Sequence, residues 1–210
     1  MLSFPLDFLA SFPGWTTEFQ PQWRQEQSRS ANGKTYVKDL GSPLWVGTWQ
    51  SRSFTANELD EWRARLDALE NGAATFVAYP LSRCYPIAYP NGSWPTGEAF
   101  SGVCQLNSIS GGRIVSLKGL PAAYKVSVGD LLQIGTADLH RVMEVATASG
   151  GGVTGQFEVR PYLWPSALVN ASVRLVRPSC IMNIVPDSIT SASDLQTGRG
   201  SITFKGMEVR

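Results

Sequence analysis

The sequence is poor in the residues that most enzymes use for chemistry. It contains a single histidine, His140, and three cysteines, which are far apart at positions 84, 104 and 180. Metal sites need clustered His, Cys, Asp or Glu ligands, and nucleophilic catalysis needs a Ser or Cys beside a base. No such cluster, no Gly-x-Ser-x-Gly motif and no phosphate-binding glycine loop ending in Lys-Ser/Thr occurs in the chain. We therefore expect no enzyme activity, no metal site and no cofactor.

The single histidine and the acidic residues need separate consideration as candidate catalytic groups. Strand alternation places His140 on one face with Val142 and Glu144, which we expect to be half-exposed, and a lone histidine there is expected to be structural. The chain also has 17 acidic residues. Glycosidases use two carboxylates that are brought together only by folding, so the sequence leaves such a pair open.

The chain also lacks an excess of either charge and any long apolar run. Its 18 basic and 17 acidic residues give a net charge of +1, which argues against a surface dedicated to nucleic acid. No segment reaches the roughly 18 apolar residues of a membrane span, and the apolar start has no basic region of a signal peptide. We expect a protein that does not enter a membrane and that folds in the cytoplasm with reduced cysteines.

One helical segment stands out in a sequence with 13 prolines and 20 glycines, which otherwise favours a mainly β protein. Thr55 and Glu58 form a capping box, and the pattern predicts a helix over 55–70 that ends at Asn71-Gly72. A strand over 75–79, which contains Phe76 and is stopped by Pro80, follows, and Trp45 and Trp49 share one face of an earlier strand. We expect seven apolar side chains to anchor this unit in a core: Trp45, Trp49, Leu59, Trp62, Leu66, Leu69 and Phe76.

Two further segments before residue 100 allow alternatives. The apolar stretch 2–15 is either a segment that docks on its own domain or an arm offered to a neighbouring subunit. The polar stretch 20–30 is typical of an exposed strand, and Asn32-Gly33 after it predicts a hairpin turn. Tyr79, Tyr85, Tyr89 and Trp94 form an aromatic cluster at 79–94, which either packs over a loop or binds sugars.

Regular short strands begin at about residue 102. Their spacing of about ten residues, with glycine-rich turns between them, predicts a small barrel or sandwich over 102–179. Two longer strands, 180–185 and 201–209, resume the alternation of the first part. We therefore predict a discontinuous fold, in which 1–101 plus 180–210 form one domain, with the helix packed across a sheet, and 102–179 form an inserted second domain.

The order of these features resembles the distal tail protein family of long-tailed bacteriophages and the related minor tail proteins. The resemblance lies in Leu44-Trp45-Val46-Gly47-Thr48-Trp49, in the helix with its Leu-Glu-Asn-Gly ending, and in Thr75-Phe76-Val77-Ala78-Tyr79-Pro80. A second stretch, Ser127-Val128-Gly129-Asp130-Leu131-Leu132-Gln133-Ile134, is similar to the small barrel inserted in the Gram-negative versions, as are Leu139-His140-Arg141-Val142 and Phe157-Glu158-Val159-Arg160-Pro161.

The resemblance implies a mainly β fold, in which 1–101 plus 180–210 form a β-sandwich crossed by one α-helix and 102–179 form an inserted small antiparallel β-barrel. It also implies a structural virion protein with no catalytic residues. Members of that family form a ring, usually of six copies, at the tail tip, where it joins the tail tube protein to the hub protein of the baseplate. DNA would pass through the lumen only as cargo. The alternative function, from a different class, is a carbohydrate-binding module that uses the aromatic cluster at 79–94.

Overall fold

The computed structural model describes residues 2–97 and 99–210. It contains one α-helix, α1 (Ala56–Asp67), and three short 3-10 turns at Leu9–Ser11, Glu70–Gly72 and Pro90–Gly92. The strands, in chain order, are β1 (Gly14–Gln22), β2 (Gln25–Arg29), β3 (Thr35–Asp39), β4 (Leu44–Ser51), β5 (Thr75–Ala78), β6 (Val103–Ser110), β7 (Ile114–Lys118), β8 (Lys125–Val126), β9 (Leu131–Ile134), β10 (Asp138–Val142), β11 (Ala146–Thr147), β12 (Phe157–Arg160), β13 (Ser172–Arg174), β14 (Cys180–Ile184), β15 (Thr190–Ser193) and β16 (Gly200–Glu208).

Six strands from the two ends of the chain form the main sheet. Its order is β1-β4-β16-β14-β5, with β15 paired to the free part of β16, and every pairing is antiparallel. β15 lies between the two strands predicted at 180–185 and 201–209, in a polar stretch for which no strand was predicted. Its residues are Thr, Ser and Ala, and only one of them is even partly buried, so no apolar alternation marks it.

A closed barrel occupies the chain between β5 and β14. Its strand order is β10-β12-β7-β6-β13-β9, again with antiparallel neighbours. The fold-class prediction, a mainly β protein with a β-sandwich crossed by one α-helix and a small antiparallel β-barrel, is confirmed.

α1 begins as predicted but ends earlier. The backbone N–H of Thr55 donates to the Glu58 carboxylate at 2.9 Å, as a capping box requires. The regular helix stops at Asp67, and the predicted terminator Asn71-Gly72 lies in a separate 3-10 turn, where Asn71 has φ 49° and Gly72 has φ 105°. A tighter turn after an α-helix is a common way to satisfy its last carbonyls, and it keeps Leu69 buried beyond the helix end.

Two glycines make room for the largest side chains of the sheet core. Gly47 in β4 faces Gly206 in β16 across the sheet. A Cβ on Gly47 would lie within 2.2 Å of the Trp49 indole, and one on Gly206 would lie 2.7 Å from the Phe76 ring. The glycine pair is therefore the floor on which these aromatic rings lie.

The stretch 2–15 docks on its own domain, which was one of the two alternatives. Phe8, Leu9 and Phe12 are buried in the sheet core. Leu6 pairs with the outer edge of β5, donating to the Thr75 carbonyl at 3.0 Å. The expectation that this stretch supplies a plug for a neighbouring subunit is wrong for its buried part, because those side chains are already used inside the chain.

The two strands that close the sheet give a direct test of the discontinuous fold, which stays a prediction. Met182, Ile184, Ile202 and Phe204 are all at most 1% exposed, and β14 and β16 are interior strands of the sheet. Deletion of residues 180–210 is expected to expose the amides of β4 and β5 to hydrogen exchange while those of β6 and β7 stay protected. Equal loss of protection in both groups would contradict a barrel that folds without the sheet.

Candidate functional site

All seven predicted anchors lie in one core. Leu59, Trp62, Leu66 and Leu69 pack from the helix side against Trp45, Trp49 and Phe76 of the sheet, and each is at most 7% exposed. Trp49 stacks on Phe204 with ring centres 5.3 Å apart. Trp62 meets Phe12 edge-on at 5.2 Å, and Arg65 covers its outer face at 4.6 Å. These residues hold the scaffold together, and no function other than packing follows from their contacts.

His140 is buried inside the barrel and not half-exposed. It shares a strand face with Val142, as alternation predicts, but that face points into the barrel core. The other face of β10 is covered as well, since Leu139 packs into the core of the main sheet. Alternation identifies which residues share a face but not whether the face is exposed, so the sequence could not reveal this burial.

The electrostatics of His140 suit a structural residue. Its Nδ1 lies 3.0 Å from the Pro161 carbonyl, which can only accept, so Nδ1 carries the proton. Burial, and then the charge of Arg210, lower the pKa of His140 to about 4 although the Pro161 bond acts in the opposite direction. The imidazole is therefore neutral near pH 7 and has no contact with solvent.

The three cysteines are free thiols in apolar surroundings. Burial raises the pKa of Cys104 to about 12 and raises the pKa of Cys180 well above its ordinary value. The pKa of Cys84 is also raised by burial, against the nearby charge of Arg177. Because the thiolate is the nucleophile and the metal ligand, these thiols are inert near neutral pH.

The acidic residues that the structure describes do not gather into a metal site. Among residues 2–97 and 99–210, no group of three or more His, Cys, Asp or Glu side chains could hold a metal ion. Burial raises the pKa of Glu208 although hydrogen bonds from Trp45 and Arg210 act in the opposite direction, and the charge of Asp138 adds a smaller upward contribution.

Glu208, the last residue of β16, links this strand to β4 and to Arg210. Its carboxylate accepts from the Trp45 backbone N–H at 3.0 Å and from Arg210 Nε at 2.8 Å. The Trp45 indole N–H reaches across to the Leu139 carbonyl of the barrel at 2.7 Å. The sequence could not reveal this seam between sheet and barrel, because Trp45 and Leu139 are 94 positions apart and share no motif.

The predicted aromatic cluster at 79–94 does not form one surface. Tyr79 is buried in the sheet core, whereas Tyr89 packs on Tyr124 of the barrel with ring centres 4.6 Å apart. Trp94 leans on Tyr89 at 5.7 Å. Tyr85 is the exposed member, at 40%. Most of these ring faces are thus used in packing over the loop.

A free surface starts at the outer edge of the main sheet. β1 pairs only with β4 in the described part of the chain, so its other side is an open edge. Directly after β1, β2 and β3 form a separate hairpin that joins no other strand of the described residues, and all ten of their residues are exposed. The predicted strand over 20–30 is thus interrupted at Trp23-Arg24, while the predicted Asn32-Gly33 turn is confirmed.

This hairpin arm, defined as residues 23–40, exposes apolar side chains and carries a basic excess. Trp23, Tyr36, Val37 and Leu40 are each at least 50% exposed. The arm has four basic and two acidic residues. The helix region 56–70 on the main sheet has the opposite balance, with five acidic and two basic residues. An open edge, exposed apolar groups and complementary charges are features of an association surface.

Comparisons with known proteins add no family assignment. No family model and no curated protein matches the chain. No helix among residues 2–97 and 99–210 is long and apolar enough to cross a membrane.

Proposed function

We propose that the chain is a structural protein of a phage tail tip, in which six copies form a closed ring between the tail tube and the baseplate hub. The observation that supports this most is the open β1 edge continued by the hairpin arm. The order of strands, helix and inserted barrel that resembles distal tail proteins supplies the location and the copy number. In this proposal the protein is not an enzyme, and its partners are its own copies, the tail tube protein and the hub protein.

The geometry of the arm favours contacts between unlike surfaces of neighbouring copies. The basic hairpin arm lies at one edge of the main sheet, and the acidic helix region packs across one face of that sheet. A contact between two different patches is heterologous, and it closes into a ring when its rotation divides a full turn. Exposed backbone groups of β1 and of the hairpin could then pair with a strand of the next copy.

Electron microscopy of the assembled tail tests the ring directly. Six copies per ring at the tail tip would support the proposal, whereas a location in the capsid or at the fibre ends would contradict it. The isolated chain is a weaker test, because a ring of this kind can need the neighbouring ring as a template.

A charge placed on the hairpin arm is expected to block assembly without affecting the fold. Tyr36→Asp with Val37→Asp puts two carboxylates at positions that are 52% and 54% exposed, so we expect folding stability to change by roughly 0.5 kcal/mol or less per site. Burying those charges between copies would be unfavourable, and the variant should be absent from purified tails.

Leu195→Asp is the matched control for this variant. Leu195 is fully exposed in the loop after β15, outside the arm. Tails should incorporate it at the wild-type level, as judged by immunoblotting of purified particles. Normal incorporation of the arm variant would show that the arm is not an interface.

A further inference from the structure

A cleft of about 310 Å³ opens where the main sheet, the barrel and the loop after β5 meet. Each of the three parts contributes an apolar side chain to its walls: Phe19 from β1, Leu131 from β9 and Ile87 from the loop. Its charged wall residues are Arg83, Arg141 and Asp130.

Arg141 is half-buried and has no anionic partner in the part of the chain that the structure describes. None of the ion pairs among residues 2–97 and 99–210 includes Arg141 or Arg83. The Arg141 guanidinium lies over the Trp45 ring at 5.2 Å and donates one long bond, 3.4 Å, to the Phe19 carbonyl. Its remaining N–H groups have no protein acceptor among the described residues. Burial lowers the pKa of Arg141, which reflects the cost of withdrawing this charge from water.

The carboxylate of Asp130 does not neutralise the cleft. Its Oδ1 accepts from the Ile87 backbone N–H at 2.7 Å, and its Oδ2 accepts from the Ser127 backbone N–H at 2.8 Å. Asp130 thus holds the loop against the barrel. The positive charge of Arg83 acts on Asp130 electrostatically and lowers its pKa, against the larger upward effect of burial. Two guanidinium groups face one carboxylate, so the cleft keeps an excess of one positive charge.

We propose that this cleft binds a carboxylate carried on a small apolar or ring-shaped body. A guanidinium pairs with a carboxylate through two parallel N–H donors. Among the described residues of the cleft, Arg83 and Arg141 have guanidinium N–H groups that no protein acceptor occupies. The ligand's apolar body would lie against Phe19, Leu131 and Ile87. The volume is at the lower end of small-molecule sites, which fits a single residue or sugar unit.

This inference does not depend on the ring proposal. Its ligand chemistry has two sources, an acidic or C-terminal residue of a polypeptide and an acidic sugar. Both present one carboxylate on a compact body, and the probes below separate them.

Calorimetric or NMR titration of the full chain with N-acetyl-phenylalanine tests the polypeptide source. We expect saturable binding, and at least about tenfold weaker binding of the neutral N-acetyl-phenylalaninamide, because it lacks the charge-assisted bonds to arginine. Glucuronic acid tests the sugar source in the same way. Tighter binding of either acid than of inorganic phosphate supports the proposal and identifies the source.

Variants of the two arginines place the binding in the cleft. Arg83→Gln and Arg141→Gln should each weaken the binding of the acid about tenfold or more while the affinity for the neutral amide stays unchanged. Arg113→Gln is the control, since Arg113 is exposed, contacts Tyr162 and does not line the cleft. Arg83 is itself exposed, so its replacement keeps the test valid if Arg141→Gln does not fold.

Three results would overturn the proposal. The first is equal affinity for the acid and its amide. The second is wild-type affinity of the arginine variants for the acid. The third is binding of inorganic phosphate but of neither acid. The last result would mean that the apolar walls contribute nothing.

Discussion

Replacement of Trp49 by alanine is expected to lower the free energy of unfolding by about 3–5 kcal/mol, a large fraction of the roughly 5–15 kcal/mol that holds a domain folded. Trp49 is 0% exposed, and its indole lies between Phe204, Phe76 and the glycine floor of Gly47 and Gly206. Glycines on that floor cannot extend into the space that the indole leaves, so the cavity would stay open.

The same substitution at Trp15 is the control. Trp15 is 80% exposed at the start of β1, and Trp15→Ala should change stability by roughly 0.5 kcal/mol or less. Urea unfolding followed by far-ultraviolet circular dichroism measures both variants against wild type. An effect of Trp49→Ala no larger than that of Trp15→Ala would mean that the site collapses around the missing ring.

The anchors could be predicted because local patterns mark them. The helical stripe of Leu59, Trp62 and Leu66 and the alternation of Trp45 and Trp49 each need only a few neighbouring residues. Turn chemistry gave the Asn32-Gly33 hairpin in the same way. Where the pattern was absent, as in the polar strand β15, the prediction failed.

What the sequence could not supply is the seam between sheet and barrel. Leu139 of β10 is buried and Leu131 of β9 is partly buried because the barrel docks on the sheet core. No pattern within either strand indicates that side chains on both of its faces pack against other parts of the chain. For the same reason His140 was predicted to be half-exposed. The cleft with Arg83 and Arg141 could not be predicted either, because Phe19, Arg83 and Arg141 come together only when the barrel docks on the sheet.

The burial of His140 makes stability depend on pH. The folded protein binds the imidazole proton only near pH 4, whereas the unfolded chain binds it near its ordinary pKa of 6.5. Acidification across this interval therefore favours the unfolded chain. Protonated Nε2 would also carry an N–H into a site where no described residue offers an acceptor. Burial raises the pKa values of Asp130, Asp138 and Glu208, so these groups act in the opposite direction and stabilise the folded chain as pH falls.

His140→Gln separates the histidine from these carboxyl groups. Glutamine keeps an N–H that can donate to the Pro161 carbonyl but does not titrate, and the carboxyl contributions are the same in both proteins. Between pH 7 and pH 4, wild type should lose up to about 3 kcal/mol more stability than the variant, from a pKa difference worth about 1.4 kcal/mol per unit. Urea unfolding at a series of pH values measures that difference. Because the chain has a single histidine, an NMR titration of its ring protons checks the cause, with an expected midpoint near pH 4. A midpoint near 6.5, or a stability difference between the two proteins that does not change with pH, would show that water reaches the imidazole in the folded barrel.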